Sequence, residues 1–274
     1  MAATGNPGHQ TTISIGGTSY AFDSCTLGKH GQILERRGIR GTRSHNITDT
    51  RLGPYRVSGT VSLEPSPAEL LSLMTLAIGT GGNVAETMTS FNAIVNRTTT
   101  VKTYTNCRVN RATLRGRQGE ILSLALDLVG ETETTGSAPA APASAAPYIF
   151  SDVVLTLQSS ARAVQEFELV IDNALIVDRF QNTLTVTDIP TGDRIVTLRS
   201  VHDYDSDNSA LYDQAIAGAT GTLVANDGTT GRTFTFGVLQ VPAETPPIEG
   251  KGLILLTLDM VARKSGNIAE IAVT

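Results

Sequence analysis

Ile121-Leu-Ser-Leu-Ala-Leu-Asp-Leu-Val-Gly130 occurs a second time in the chain, as Leu253-Ile-Leu-Leu-Thr-Leu-Asp-Met-Val-Ala262. Leu124, Leu126, Asp127 and Val129 return as Leu256, Leu258, Asp259 and Val261, at a constant offset of 132. Each run has apolar residues on alternate positions or on nearly all of them. That pattern belongs to a long strand with one face, or both, out of water. A strand that recurs once per half-chain predicts a duplicated unit.

The repeat extends outward from this pair. Gly53-Pro-Tyr-Arg-Val-Ser-Gly-Thr-Val-Ser-Leu63 aligns with Gly192-Asp-Arg-Ile-Val-Thr-Leu-Arg-Ser-Val-His202 at an offset of 139. The same offset carries Glu69-Leu-Leu-Ser-Leu-Met-Thr-Leu-Ala-Ile-Gly79 onto Asn208-Ser-Ala-Leu-Tyr-Asp-Gln-Ala-Ile-Ala-Gly218. Each half reads as a strand, a turn, a short helix and a Gly stop. The helices rest on one-sided apolar stripes, Leu70, Leu73, Leu76 and Ala77 in the first, Leu211, Ala215 and Ile216 in the second. Ser66-Pro67 supplies an N-cap and a Pro at the first helical turn; Asp207 or Asn208 can cap the second helix. Gly79 and Gly218 are placed to end them. Further on, Thr100-Val-Lys-Thr-Tyr-Thr105 matches Arg232-Thr-Phe-Thr-Phe-Gly237, again at 132.

Between the halves lies Thr134-Thr-Gly-Ser-Ala-Pro-Ala-Ala-Pro-Ala-Ser-Ala-Ala-Pro147. Pro and Ala at that density favour an extended, semi-rigid spacer. The reading therefore divides the chain into a first domain at 1–133, a linker at 134–147 and a second domain at 148–274, with residues 1–10 as a loose arm. A chain of 274 residues is long enough for two cores. It has no apolar run long enough to span a bilayer, and its N-terminus lacks the pattern of a secretory signal. Cys25 and Cys107 suit free, buried thiols on strands, with a reducing cytoplasm as the expected site of synthesis. The net charge of −5 is unevenly spread. Through Ser137 there are 13 Lys and Arg against 10 Asp and Glu; beyond it, 8 against 16. The first half is thus +3 and the second −8, so the halves can attract each other, within or between chains.

Thr11-Thr-Ile-Ser-Ile15 and Thr18-Ser-Tyr-Ala-Phe22 flank Gly16-Gly17, which predicts a hairpin. Residues 28–52 follow as an extended hairpin or mobile loop carrying Arg36, Arg37, Arg40, Arg43 and Arg51. This basic loop is read as an assembly element reaching an acidic neighbour; it lacks the aromatics that would stack on nucleic acid. Strands are expected near 100–105 and 107–114, with Arg108, Arg111, Arg115 and Arg117 forming a second basic edge. In the second half, Asp152-Val-Val-Leu-Thr-Leu157 and Phe167-Glu-Leu-Val-Ile171 read as a hairpin-like pair. Residues 174–191 take the place of the long loop, shorter and not basic.

Catalytic patterns are not found. The histidines have no metal-binding spacing, and there is neither a nucleophile elbow nor a phosphate-binding Gly-Lys-Ser/Thr loop. Asp203, Asp205 and Asp207 alternate like the start of a calcium loop, but Asn208 and Gln214 stand where that loop needs Gly and Glu. The favoured reading of these aspartates is an acidic turn capping the next helix. Asp127 and Asp259 are read as outward or cross-strand-paired residues. No cofactor is expected.

The arrangement resembles the tail tube proteins of long-tailed, siphovirus-like bacteriophages, in the subgroup whose tube domain is duplicated in one chain. The likeness rests on element order and on Arg56-Val-Ser-Gly-Thr-Val-Ser-Leu63, Leu70 to Gly79 and Leu253 to Ala262. It implies a mainly β protein of two tandem β-sandwich or barrel tail-tube domains, each with a short flanking helix. It also implies a structural, non-enzymatic virion protein, assembled in the host bacterial cytoplasm. Three two-domain chains would form a pseudo-hexameric ring, and rings would stack into a conduit through which DNA passes without specific binding. The long loops, 28–52 and 174–191, would bridge to the adjacent ring. Implied partners are further copies of the chain, the tape measure, tail-tip or baseplate, and tail terminator proteins, with no membrane. The alternative is another virion or surface β-sandwich protein, a decoration or adhesin module.

Overall fold

A computed structural model of the chain describes residues 8–36, 38, 44–79, 87–205, 208, 211, 216–241, 253–266 and 269–274. The first half contains β1 (Thr12–Ile15), β2 (Thr18–Tyr20), β3 (Ser24–Cys25), β4 (Gly28–Glu35) and β5 (Thr50–Leu63). After helix α1 (Pro67–Ile78) come β6 (Phe91–Asn96), β7 (Val101–Arg117), β8 (Ser123–Gly130) and β9 (Thr132–Thr135). The second half contains β10 (Val153–Leu157), β11 (Ser160–Arg162), β12 (Glu166–Asp172) and β13 (Ile195–Asp203). It ends with β14 (Ala219–Asn226), β15 (Gly231–Gln240), β16 (Leu255–Arg263) and β17 (Ile271–Val273). The protein is mainly β; among the described residues there is one main helix, and the sheet does not close into a barrel.

The pairings of the first half recur in the second. β5 pairs with β8 so that Val57 faces Gly130, and β13 pairs with β16 so that Thr197 faces Val261. These registers reproduce the sequence offsets of 139 and 132. The hairpin β1–β2 lies on β6 as β10–β11 lies on β14. β7 takes β6, β8 and β9 as β15 takes β14, β16 and β17. Even an irregularity recurs: the register shifts between Phe91 and Ala93 on β6, and between Ala219 and Gly221 on β14.

α1 forms where the stripe predicted it. The Glu69 carboxylate accepts hydrogen bonds from the Ser66 N–H at 2.8 Å and the Ser66 hydroxyl at 2.6 Å, which closes the first turn. Gly79 ends the helix at φ 135°, a conformation that disfavours side chains. Leu70, Leu73, Met74, Ala77 and Ile78 are buried. They pack on β7 and also on β15 and β17 of the second half. One hydrophobic core therefore runs from Ile13 to Val273 through both halves. In the second half, residues 208, 211, 216 and 217 are helical, and the rest of that predicted helix lies outside the described residues. Its cap is Asp205, whose Oδ1 accepts the Asn208 N–H at 2.9 Å, two residues before the expected Asp207 and three before Asn208.

Three expectations are corrected. The strands expected at 100–105 and 107–114 are one strand, β7, bent at Asn106 with φ 51° as it passes from one sheet surface to the other. β10 and β12 do not pair with each other: β10 joins β11 and β14, whereas β12 joins β13 and β7. Thr134 and Thr135, read as linker, still pair with β7, and regular structure stops after them until 149. The described residues of 28–52 do form a hairpin, in which β4 pairs with β5 from Gly28 opposite Ser58 to Glu35 opposite Thr50.

Candidate assembly surfaces

The two halves meet edge to edge. β7 and β12 pair antiparallel over seven residue pairs, from Glu166 opposite Arg117 to Asp172 opposite Arg111. On the core face the opposed residues are Ala112 and Ile171, Leu114 and Leu169, and Gly116 and Phe167. All of these are buried. A Cβ on Gly116 would lie 2.3 Å from Phe167 Cε1 and 2.7 Å from Leu122 Cδ2, so the ring of Phe167 occupies the place of a side chain. Phe167 also stacks on Phe150 with centroids 6.2 Å apart.

The outward face of the same joint is charged in an ordered way. Arg111, Arg115 and Arg117 from the first half stand opposite Asp172, Glu168 and Glu166 from the second. Arg115 Nε donates to Glu168 Oε2 at 2.6 Å. Glu168 is also opposite Arg199 on β13, and Arg199 is opposite Asp259 on β16, 3.6 Å away. On the other side, Arg111 is opposite Asp127 on β8, which accepts a hydrogen bond from Thr60 Oγ1 at 2.5 Å. Signs thus alternate across the sheet, each neighbour supporting the next. Asp127 and Asp259 are each paired across strands, with Arg111 and Arg199 respectively.

The segment 173–194 of the second half lies on the first half. Asn173, 1% exposed, donates through Nδ2 to Ala77 O and Val109 O at 2.9 Å each, and its Oδ1 accepts from Arg194 Nε at 2.9 Å. The Leu175 N–H donates to Asn110 Oδ1, Tyr55 N–H to Leu184 O, and Arg108 Nη1 to Ile189 O. Leu175, Val186 and Ile189 bury against Met88 and Val129, with Val177 and Phe180 alongside. At the surface Arg56 approaches Asp178 at 3.3 Å.

The corresponding part of the first half has no such support among the described residues. β3 and β4 pair with β5 alone, and their other edge faces outward. Along the hairpin Ile33 faces Leu52, and they are 70% and 76% exposed; Ile47 is 85% exposed. Large apolar side chains left in water at one tip mark a contact surface. Arg36 donates its N–H to Asp49 O, and Arg51 stands opposite Leu34; both side chains are exposed. Arg37, Arg40 and Arg43 lie outside the described residues.

Of the three aspartates with calcium-like spacing, Asp205 caps a helix and Asp203 Oδ1 accepts from Gln165 Nε2 at 2.6 Å. Asp207 lies outside the described residues. Among the described residues no cluster of His, Cys, Asp and Glu could hold a metal ion. Cys25 and Cys107 are free thiols, and burial pushes the Cys107 thiol up to about 12, well away from a reactive thiolate. Among the described residues no helix is long and apolar enough to cross a membrane.

The joint between the halves escaped sequence reading. Period-2 alternation says which side chains share a face, not which strand lies alongside. A signal was present: Arg at 111, 115 and 117 and acid at 166, 168 and 172 fall on single faces with opposite signs.

Repeated strands, edge-to-edge joining and exposed apolar contact surfaces define a structural subunit made to associate, with its chemistry in its surfaces rather than in a pocket. The chain belongs to the phage tail tube protein family, whose family model matches residues 4–262. No curated protein matches it. It is a structural component of the bacteriophage virion, not an enzyme.

Proposed function

We propose that the chain is a major tail tube subunit built from two tandem tail-tube domains, 1–133 and 148–274, each a β-sandwich or barrel-forming unit with a flanking helix. Three chains form a pseudo-hexameric ring, and rings stack into the conduit for DNA. The observation that carries this reading is the β7–β12 joint. At an offset of 142, Ser24 and Gly28 of β3 and β4 correspond to Glu166 and Val170 of β12, because their partners on β5 and β13 correspond at 139. Among the described residues, one half thus has this edge covered by a neighbouring unit, and the other has it open. An open edge is an aggregation hazard unless a partner closes it. Repeating the joint between chains closes the open sheet into a ring and leaves no edge.

In that ring the outward face of the joined strands lines the lumen, with Arg111 and Arg199 each between two carboxylates and Arg115 between Glu168 and Ser123. Such a wall offers phosphates little net attraction, and the acidic chain as a whole offers less. The hairpin of β4 and β5, with Arg36, Arg37, Arg40, Arg43 and Arg51, contacts the adjacent ring. Tape measure, tail-tip or baseplate and terminator proteins complete the tail, which is assembled in the host cytoplasm.

Negative-stain electron microscopy of the concentrated protein tests this. Hollow rings or tubes with threefold or pseudo-sixfold outline are expected. Persistent monomers, even with tail-tip and tape-measure proteins present, would overturn the ring. Ile33→Asp with Leu52→Asp should leave the subunit folded and the rings unstacked.

A further inference from the structure

We infer that the β7 edge of the first half is a charge-coded docking edge that admits the acidic edge of a second half and refuses the edge of another first half. Three outward positions carry the code. Arg111, Arg115 and Arg117 meet Asp172, Glu168 and Glu166, with every cation from the first half and every anion from the second. The matching positions on the first half's own edge are His30, Thr26 and Ser24, all exposed, with the exposed Lys29 beside them. Setting a β7 edge against that edge would place three arginines opposite no carboxylate. The backbone hydrogen bonds would be equally good in either joint, so the side-chain pairs make the difference. Opposite charges directly across a ladder stabilise it and missing partners do not. The code also fixes register. A slip of two residues keeps the buried face buried but sets Arg111 against Val170. It gives a local cause for the charge split, +3 before residue 138 and −8 after it. Specificity here comes from attraction present in one joint and absent from the other.

The first test needs no ring, so it stands apart from the tube reading. In the full chain, Glu166→Arg, Glu168→Arg and Asp172→Arg together set like charges across the joint. Amide exchange protection at 166–172 should fall by at least about tenfold, while β5 and β8 keep theirs. Adding Arg111→Asp, Arg115→Glu and Arg117→Glu swaps the code and should restore protection to within about threefold of the original. Unchanged protection after the reversal, or no recovery after the swap with β5 and β8 intact, overturns the code. The refusal is tested by moving the acids. Ser24→Glu, Thr26→Glu and His30→Asp, added to the three reversals, should produce concentration-dependent association of first half with first half. That association should dissolve at about 0.5 M salt in sedimentation. Association no stronger than that of the three reversals alone would overturn the refusal.

Discussion

Residues 31–52 and 173–194 start from the same point of the repeated pattern, the first within β4 and the second directly after β12, and meet opposite fates. The second segment buries Leu175, Val186 and Ile189 against Met88 and Val129 and fixes its backbone to Tyr55, Arg108 and Asn110. The first carries its apolar residues Ile33, Ile47 and Leu52 into water. The difference lies in what is alongside. β12 has a neighbouring unit on its outer edge, so its loop finds a surface; β4 has none among the described residues. The packed loop is therefore the reference for the contact proposed above for the projecting hairpin.

Asn173 is the strongest point at which to break the packed loop. Its counterpart at offset 142 is Gly31, which makes no such contacts. Asn173→Leu removes the partner of two carbonyl groups and of Arg194 at a buried position. The expected loss is about 3 kcal/mol, from buried groups left without hydrogen bonds, measured by urea unfolding. A loss below about 1 kcal/mol would mean that solvent reaches those groups and that the loop is not held there. Ile189→Ala comes next. Truncating this buried side chain should cost about 2 kcal/mol and expose 173–194 to proteolysis without affecting β5. Equal loss of protection in β5 would show that loop and sheet unfold as one unit.

A second contrast lies inside the cores. At offset 139, Val61 and Leu63 of the first half become Ser200 and His202 of the second, all fully or nearly fully buried. The Ser200 hydroxyl lies 2.9 Å from His202 Nε2, and His202 Nδ1 lies 2.9 Å from Ala163 O. Burial holds the imidazole below its usual range, the Ala163 carbonyl opposes this, nearby Arg162 adds to it, and Asp205 and Asp203 oppose it. The unfolded chain then takes up the proton more readily than the folded one. The stability that depends on neutral His202 is full above the ordinary His value of about 6.5, and is lost as pH falls from there toward the lower folded value. Installing the first half's residues, Ser200→Val with His202→Leu, should flatten the fall in melting temperature between pH 7 and pH 5. An unchanged slope would assign the acid sensitivity to carboxylates elsewhere.

The repeat was legible in sequence because matching offsets of 132 and 139 are preserved by matching registers, Val57 to Gly130 and Thr197 to Val261. α1 was legible because Ser66, Pro67 and Glu69 act locally. The single strand β7 was not, because Asn106 at φ 51° bends a strand without ending it. Nor was the joint, since pairing β12 with β7 instead of β10 is decided by the second half's position beside the first. Of the arginines chosen from sequence, Arg36 and Arg51 lie on the exposed hairpin. Arg111 and Arg115, noted only as a basic edge, turned out to carry the contact between the halves.

The smallest effect belongs to the rim of the packed loop. Arg56 and Asp178 approach at 3.3 Å with both side chains open to solvent. Exposed pairs contribute roughly 0–1 kcal/mol, because water screens the attraction and two long side chains lose freedom. Asp178→Ala should therefore shift the unfolding midpoint barely, and the shift should vanish at about 0.5 M salt. If instead it releases the loop as fully as Asn173→Leu does, the segment is held electrostatically at its rim. The packed loop would then be a poor guide to the hairpin, whose exposed tip is chiefly apolar at Ile33, Ile47 and Leu52.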